Sequence, residues 1–123
     1  MRLLPTRPRL LAAAMALGLL VAAPAFAQIR EGVYAVDGTN PDGTTYDGQL
    51  ALRPGPAGSW VVNWRVGTEQ ILGLGLINAG VLGVGFVINN RPGVAVYEVL
   101  PDGKLRGSWT TGGGMGTELL SPQ

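Results

Sequence analysis

Apolar and polar positions alternate with a period of two along most of the chain beyond residue 30, the spacing of a strand that buries one face. Thr45 to Arg53 is the plainest case: Tyr46, Gly48, Leu50 and Leu52 fall on one face, and Asp47, Gln49 and Arg53 on the other. Trp60 to Val66 repeats the pattern, with Trp60, Val62, Trp64 and Val66 opposite Asn63 and Arg65. Ile71 to Asn78, Val81 to Asn89, Val94 to Leu100 and Lys104 to Thr110 then follow in immediate succession, rich in the β-branched and aromatic residues that suit strands. Gly32 to Val36 precedes these segments and Met115 to Leu120 closes the series.

Turn chemistry separates every pair. Asn40-Pro41-Asp42-Gly43 supplies a proline with φ already fixed, an aspartate that can bond its own turn, and a glycine for positive φ; Pro101-Asp102-Gly103 repeats these residues. The likeness of the two stretches is accounted for by turn chemistry, with a duplicated half-barrel as the alternative. Pro54-Gly55-Pro56-Ala57-Gly58 cannot continue a ladder, Gly67-Thr68-Glu69 turns the chain, and Ala79-Gly80 and Asn90-Arg91-Pro92-Gly93 divide the central strands. Residues 112–114 are three glycines leading into the last strand, and Gln28 to Glu31 reads as a short flexible lead into the first. Connections of about two to five residues suit hairpins, and no segment carries a helical period. The pattern predicts an all-β domain, an eight-strand antiparallel up-and-down meander closed into a small barrel. An open curled sheet or a two-layer sandwich is the alternative.

Gly48, Gly73, Gly75, Gly83, Gly85 and Gly107 sit inside the predicted strands, where each costs about 0.5–1 kcal/mol relative to alanine. Tight coiling of a small barrel, or aromatic rings lying close to the sheet, would require them. Two registers remain open for the central hairpin. A three-residue loop at Asn78-Ala79-Gly80 sets the four central glycines opposite one another in pairs. A two-residue loop at Ala79-Gly80 sets each against a large residue such as Leu76 or Val84.

The N-terminus changes the reading of composition. Arg2, Arg7 and Arg9 precede an apolar run from Leu10 to Ala23 that ends in Ala25-Phe26-Ala27, the build of a secretory signal peptide over residues 1–27 with cleavage near Ala27. The run falls short of the roughly 20 residues that span a bilayer, so no integral membrane segment is expected in the mature chain. Periplasmic or secreted localisation follows. Of the 123 residues, 96 then remain as one domain over residues 28–123. The leader takes three of the nine basic residues and none of the eight acids, which leaves six against eight, a net charge of −2. Nucleic acid loses its electrostatic support as a partner. With no cysteine, the domain must be held by sheet closure and packing in place of the disulfides usual in small exported proteins.

Absence of histidine and cysteine removes the usual transition-metal sites and every His-assisted or thiol nucleophile. Asp37, Asp42 and Asp47 are spaced too widely for a calcium loop, and Gly73-x-Gly75 and Gly83-x-Gly85 open no helix that could cradle a phosphate. No cofactor and no metal are expected. Glu98 shares a face with Val94 and Val96; were that face the inner one, the carboxylate would need a partner such as Arg65 or Arg106, and otherwise it marks the solvent face. Trp60, Trp64 and Trp109, with Tyr34, Tyr46 and Tyr97, could line a pocket in a barrel mouth or simply fill the core.

Gly32-x-Tyr34-x-Val36-x-Gly38-Thr39-Asn40-Pro41-Asp42-Gly43, Tyr46-x-Gly48, Trp64-x-Val66-Gly67, Gly93-Val94-Ala95-Val96-Tyr97 and Gly116-Thr117-Glu118 together resemble a family of small exported bacterial β-proteins, some of which carry a fibronectin-binding label. The resemblance covers nearly the whole mature chain and rests on turn glycines and strand aromatics. It implies a fold and export, and no catalytic residue. The expected function is therefore a non-enzymatic binding domain for a small apolar ligand or an extracellular protein, with Trp60, Trp64, Tyr97, Trp109, Arg65 and Glu98 as ligand-binding candidates. The alternative is a self-associating structural protein of the cell envelope, joined through the apolar Ile71 to Ile88 hairpin.

Overall fold

The computed structural model describes residues 27–123. The expected leader lies outside the described residues except for Ala27. Eight strands follow one another: β1 Gly32–Thr39, β2 Thr45–Pro54, β3 Trp60–Val66, β4 Glu69–Asn78, β5 Val81–Ile88, β6 Arg91–Val99, β7 Leu105–Thr110 and β8 Met115–Pro122. Each pairs antiparallel with the next, and β1 also pairs with β8, so the meander closes into an eight-stranded barrel. Closure leaves no strand edge unpaired, which is how a small sheet without disulfides avoids recruiting other chains. The open sheet and the sandwich are excluded.

Local chemistry sets the turns: at Ala79-Gly80 it decides between the two registers left open, and between β5 and β6 it moves the expected boundary. Ala79 and Gly80 both take positive φ (52° and 79°), forming a two-residue turn with Asn78 opposite Val81. The paired-glycine register is thereby ruled out, since Gly75 faces Val84 and Gly83 faces Leu76. Between β5 and β6 the turn is Asn89-Asn90 (φ 50° and 61°) and not Asn90-Arg91-Pro92-Gly93. Asparagine tolerates the left-handed region, so two consecutive asparagines make the whole turn and Pro92 and Gly93 become part of the strand, opposite Val87 and Phe86. Asp42 and Asp102 each accept a bond at 3.0 Å from the backbone N–H two residues on, and Gly43 and Gly103 take φ of 90° and 89°. These two like turns lie at opposite ends of the barrel.

One end is shut. Ile29 and Ala27 pack against the core, the Tyr34 hydroxyl donates to the Arg30 carbonyl, and Trp60 is half-buried beside the last residues of β2. The expected flexible lead is therefore anchored, because Ile29 finds an apolar seat below the strands. Leu50, Leu52, Val62, Leu82, Leu105 and Leu120 fill the middle, each almost wholly buried and worth about 1.5–3 kcal/mol of transfer free energy.

The strand glycines divide by face. On the inner face a Cβ at Gly107 would overlap the Val96 carbonyl and the Tyr97 ring, and one at Gly73 would lie 2.7 Å from Val84 Cγ1 and 3.0 Å from the Trp64 ring. On the outer face Gly83 and Gly85 have open space where a Cβ would stand. Opposite signs are expected on mutation: Gly107→Ala destabilises by about 1–3 kcal/mol through overpacking against backbone, whereas Gly83→Ala is neutral or stabilises by up to about 1 kcal/mol through the unfolded chain. Urea unfolding of the two variants checks this; equal effects would contradict it.

Candidate functional site

The end opposite the N-terminal closure is open. It is ringed by the 40–44, 67–68, 89–90 and 111–114 connections and leads into a cavity of about 250 Å³. Walls come from inward-facing side chains: Val66 and Trp64 on β3, Ile71 on β4, Phe86 and Ile88 on β5, Tyr97 from the half of β6 farther from the mouth, Trp109 on β7 and Tyr46 on β2. Trp64 and Phe86 meet edge to face, ring centroids 5.3 Å apart.

Why so many rings fit in so small a barrel follows from the register. Tyr46 stands directly across from Gly38, Phe86 from Gly93, Tyr97 from Gly107 and Trp109 from Gly116. At each of these glycines a Cβ would strike the ring of the opposite residue. Each aromatic thus lies down over a neighbouring strand where no side chain stands, and an aromatic covering a strand glycine shields its backbone. Laid flat, the rings line the mouth without filling it.

Their polar tips converge on one carboxylate. Glu118, on β8 between Gly116 and Leu120 of the inner face, is only 6% exposed. Its Oε1 accepts from the Tyr97 hydroxyl at 2.6 Å and from Trp64 Nε1 at 3.2 Å; its Oε2 accepts from the Tyr46 hydroxyl at 2.5 Å. Trp109 Nε1 donates to the Tyr46 hydroxyl at 2.9 Å, so both indoles and both phenols are tied into one network. Burial pushes the Tyr97 hydroxyl well above its ordinary pKa, and the Glu118 charge and hydrogen bond push it further. Tyr46 is raised by the same causes in the same order of burial first and Glu118 second. Both phenols therefore stay protonated as donors, and neither is poised as a base or nucleophile.

No protein-family model and no curated protein matches the chain.

Three of the six expected site residues come together here: Trp64, Tyr97 and Trp109. Trp60 does not, since it stands at the shut end of the same inner face. Arg65 and Glu98 lie outside the barrel. Arg65 points outward into a shallow hollow with Arg53 and Asn63, and Glu98 pairs with Arg106 at 2.8 Å across the outer face of β6 and β7, the two side chains 58% and 66% exposed. The parity of β6 decides this. Ala95, Tyr97 and Val99 face inward, which turns Val94, Val96 and Glu98 to solvent. Tyr46, expected as a ring that lines a pocket or fills the core, lines the mouth, whereas the sequence did not single out Glu118 or Phe86. The available signal was parity: Gly116, Glu118 and Leu120 alternate along the last strand, which places a glutamate in line with a core leucine.

Proposed function

We propose that the protein is an exported, non-enzymatic binding protein that takes one small, largely apolar ligand into the open barrel mouth. The observation that carries this reading is the aromatic-walled cavity with the bonded Glu118 carboxylate in its lining. Mostly apolar walls with a few fixed polar groups are the usual build of a ligand pocket, and about 250 Å³ lies just below the ordinary range of roughly 300–1,000 Å³, so the ligand is small. A core whose only task was stability would collapse onto such a space, because voids cost packing energy. Against catalysis stands the engagement of each acid and phenol of the network with another member of it.

The test is titration with the neutral fluorescent probe N-phenylnaphthylamine. Saturable one-to-one enhancement is expected, and Ile88→Trp, which adds bulk to the half-buried rim without touching the core, is expected to weaken binding at least about tenfold while the melting temperature is kept. Binding unaffected by that substitution would place the probe elsewhere and count against the mouth.

A second reading, self-association, is favoured by the outer face of the β4–β6 sheet. Leu72, Leu74 and Leu76 are each about 60% exposed there, and Val94 and Val96 flank the same strip beyond Gly83 and Gly85. Unshielded apolar rows of this kind mark contact surfaces. Light scattering decides it: a dimer dispersed by Leu74→Glu supports this reading, and a monomer at every concentration removes it.

A further inference from the structure

We propose that the ligand of the barrel mouth is an organic cation, an alkylammonium head carried on a small apolar body. The inference rests on the mouth being a ligand pocket and adds the chemical class it selects.

The first observation is what the cavity offers and what it withholds. The rings of Tyr46, Trp64, Phe86, Tyr97 and Trp109 line it, together with the carboxylates of Glu118 and, at the rim, Glu69. Among the described residues no lysine or arginine lines it. The aromatic donors are already spent, since both indole N–H groups and both phenol O–H groups bond within the network; at the rim one N–H of the Asn40 amide donates to Thr44 Oγ1, leaving its second N–H and the Thr111 hydroxyl as the neutral side-chain donors of the lining. An anionic or acceptor-rich ligand would find almost nothing to donate to it. A cation would find negative ring faces and acceptor oxygens.

The second observation is the state of Glu118. More than nine-tenths of its surface is buried, yet it forms no ion pair; among the described residues the one ion pair lies outside the barrel, between Glu98 and Arg106. Buried carboxylates are ordinarily matched by a cation or a metal, because hydrogen bonds alone replace only part of their hydration. Three donors occupy three of the roughly four lone-pair positions of the carboxylate, leaving one on Oε2. The missing counter-charge and the free lone pair are both supplied by an ammonium held among the rings. A bare metal ion is a poorer match, since rings replace its lost water badly and Glu118 stands nearly alone as an oxygen ligand.

Displacement of N-phenylnaphthylamine from the protein tests the proposal with two probes that differ by one atom: choline, and dimethylbutanol, in which carbon replaces the charged nitrogen. Choline is expected to displace the dye at a concentration at least about tenfold lower than its uncharged isostere. Glu118→Gln, which keeps an acceptor oxygen and the side-chain volume, should erase that preference. Should Glu118→Gln fail to fold, Glu69→Gln on the exposed rim should reduce the preference by about two- to fivefold, since an exposed charge acts more weakly through water. Equal displacement by the two probes would overturn the cation assignment and leave the apolar pocket standing. Failure of the dye itself to bind would overturn the pocket and this assignment together.

Discussion

Glu118→Leu is expected to destabilise the barrel by about 3–5 kcal/mol, a large share of the roughly 5–15 kcal/mol that holds a domain of this size. Leucine matches the volume and suits the core, so the loss comes from what the carboxylate leaves behind: the Tyr97 hydroxyl, Trp64 Nε1 and the Tyr46 hydroxyl lose their common acceptor. Each stranded buried donor costs about 1–3 kcal/mol, less for Tyr46, which sits nearer the mouth and can turn to water. The origin of the loss is open to a direct check. In Tyr46→Phe/Tyr97→Phe/Glu118→Leu the phenol donors disappear along with their acceptor, and the triple variant is expected to recover about half or more of the stability lost by Glu118→Leu alone. Additive losses in urea unfolding, with the triple variant the least stable, would show that the network is not the source.

Alkaline pH is expected to unfold the protein cooperatively, starting near pH 10. All three tyrosines of the chain have pKa values raised above the ordinary 10.0: Tyr34 and Tyr97 chiefly by burial, Tyr46 by burial and then by Glu118. A pKa raised in the folded state means that stability is full below the unfolded value and falls as pH climbs toward the folded one, because the unfolded chain sheds protons that the folded one retains. Each tyrosine held protonated lowers stability by about 1.4 kcal/mol per pH unit over that window. Tyr46, half-buried at the mouth, is partly screened by solvent and contributes less. Tyrosinate absorbance and circular dichroism should therefore change together in one steep transition. A tyrosine that titrates normally near pH 10 while the sheet signal is intact would contradict the burial assigned to it.

The fold was legible because it depends on local signals that repeat. Alternation in Thr45–Pro54 and Trp60–Val66, together with Pro-Asp-Gly turns, defines hairpins without knowledge of any distant contact. Eight hairpin-linked strands then have few ways to satisfy their edges other than closure. The site was half legible. Trp64, Tyr97 and Trp109 announce themselves by size, yet which ring lies over which glycine depends on register, and register turned on single residues such as Ala79, Asn89 and Asn90 entering the left-handed region. Glu118 and Glu98 are alike as sequence, each a glutamate in an apolar strand. Their fates differ because Gly116 and Leu120 place one inward, while Ala95 and Tyr97 force the other outward. Such a distinction becomes visible only when each strand's parity is tied to the neighbours it packs against.

The three tryptophans allow the most direct measurement of the central claim, that the open mouth is where this protein binds. Trp64 and Trp109 line the cavity through bonded indole N–H groups, and Trp60 lies at the shut end of the barrel. A two-dimensional NMR titration of the protein with N-phenylnaphthylamine resolves the three indole signals separately. Saturable shifts are expected at Trp64 and Trp109 with Trp60 unmoved; shifts led by Trp60, or binding that leaves all three indoles in place, would rule out the mouth as the binding site.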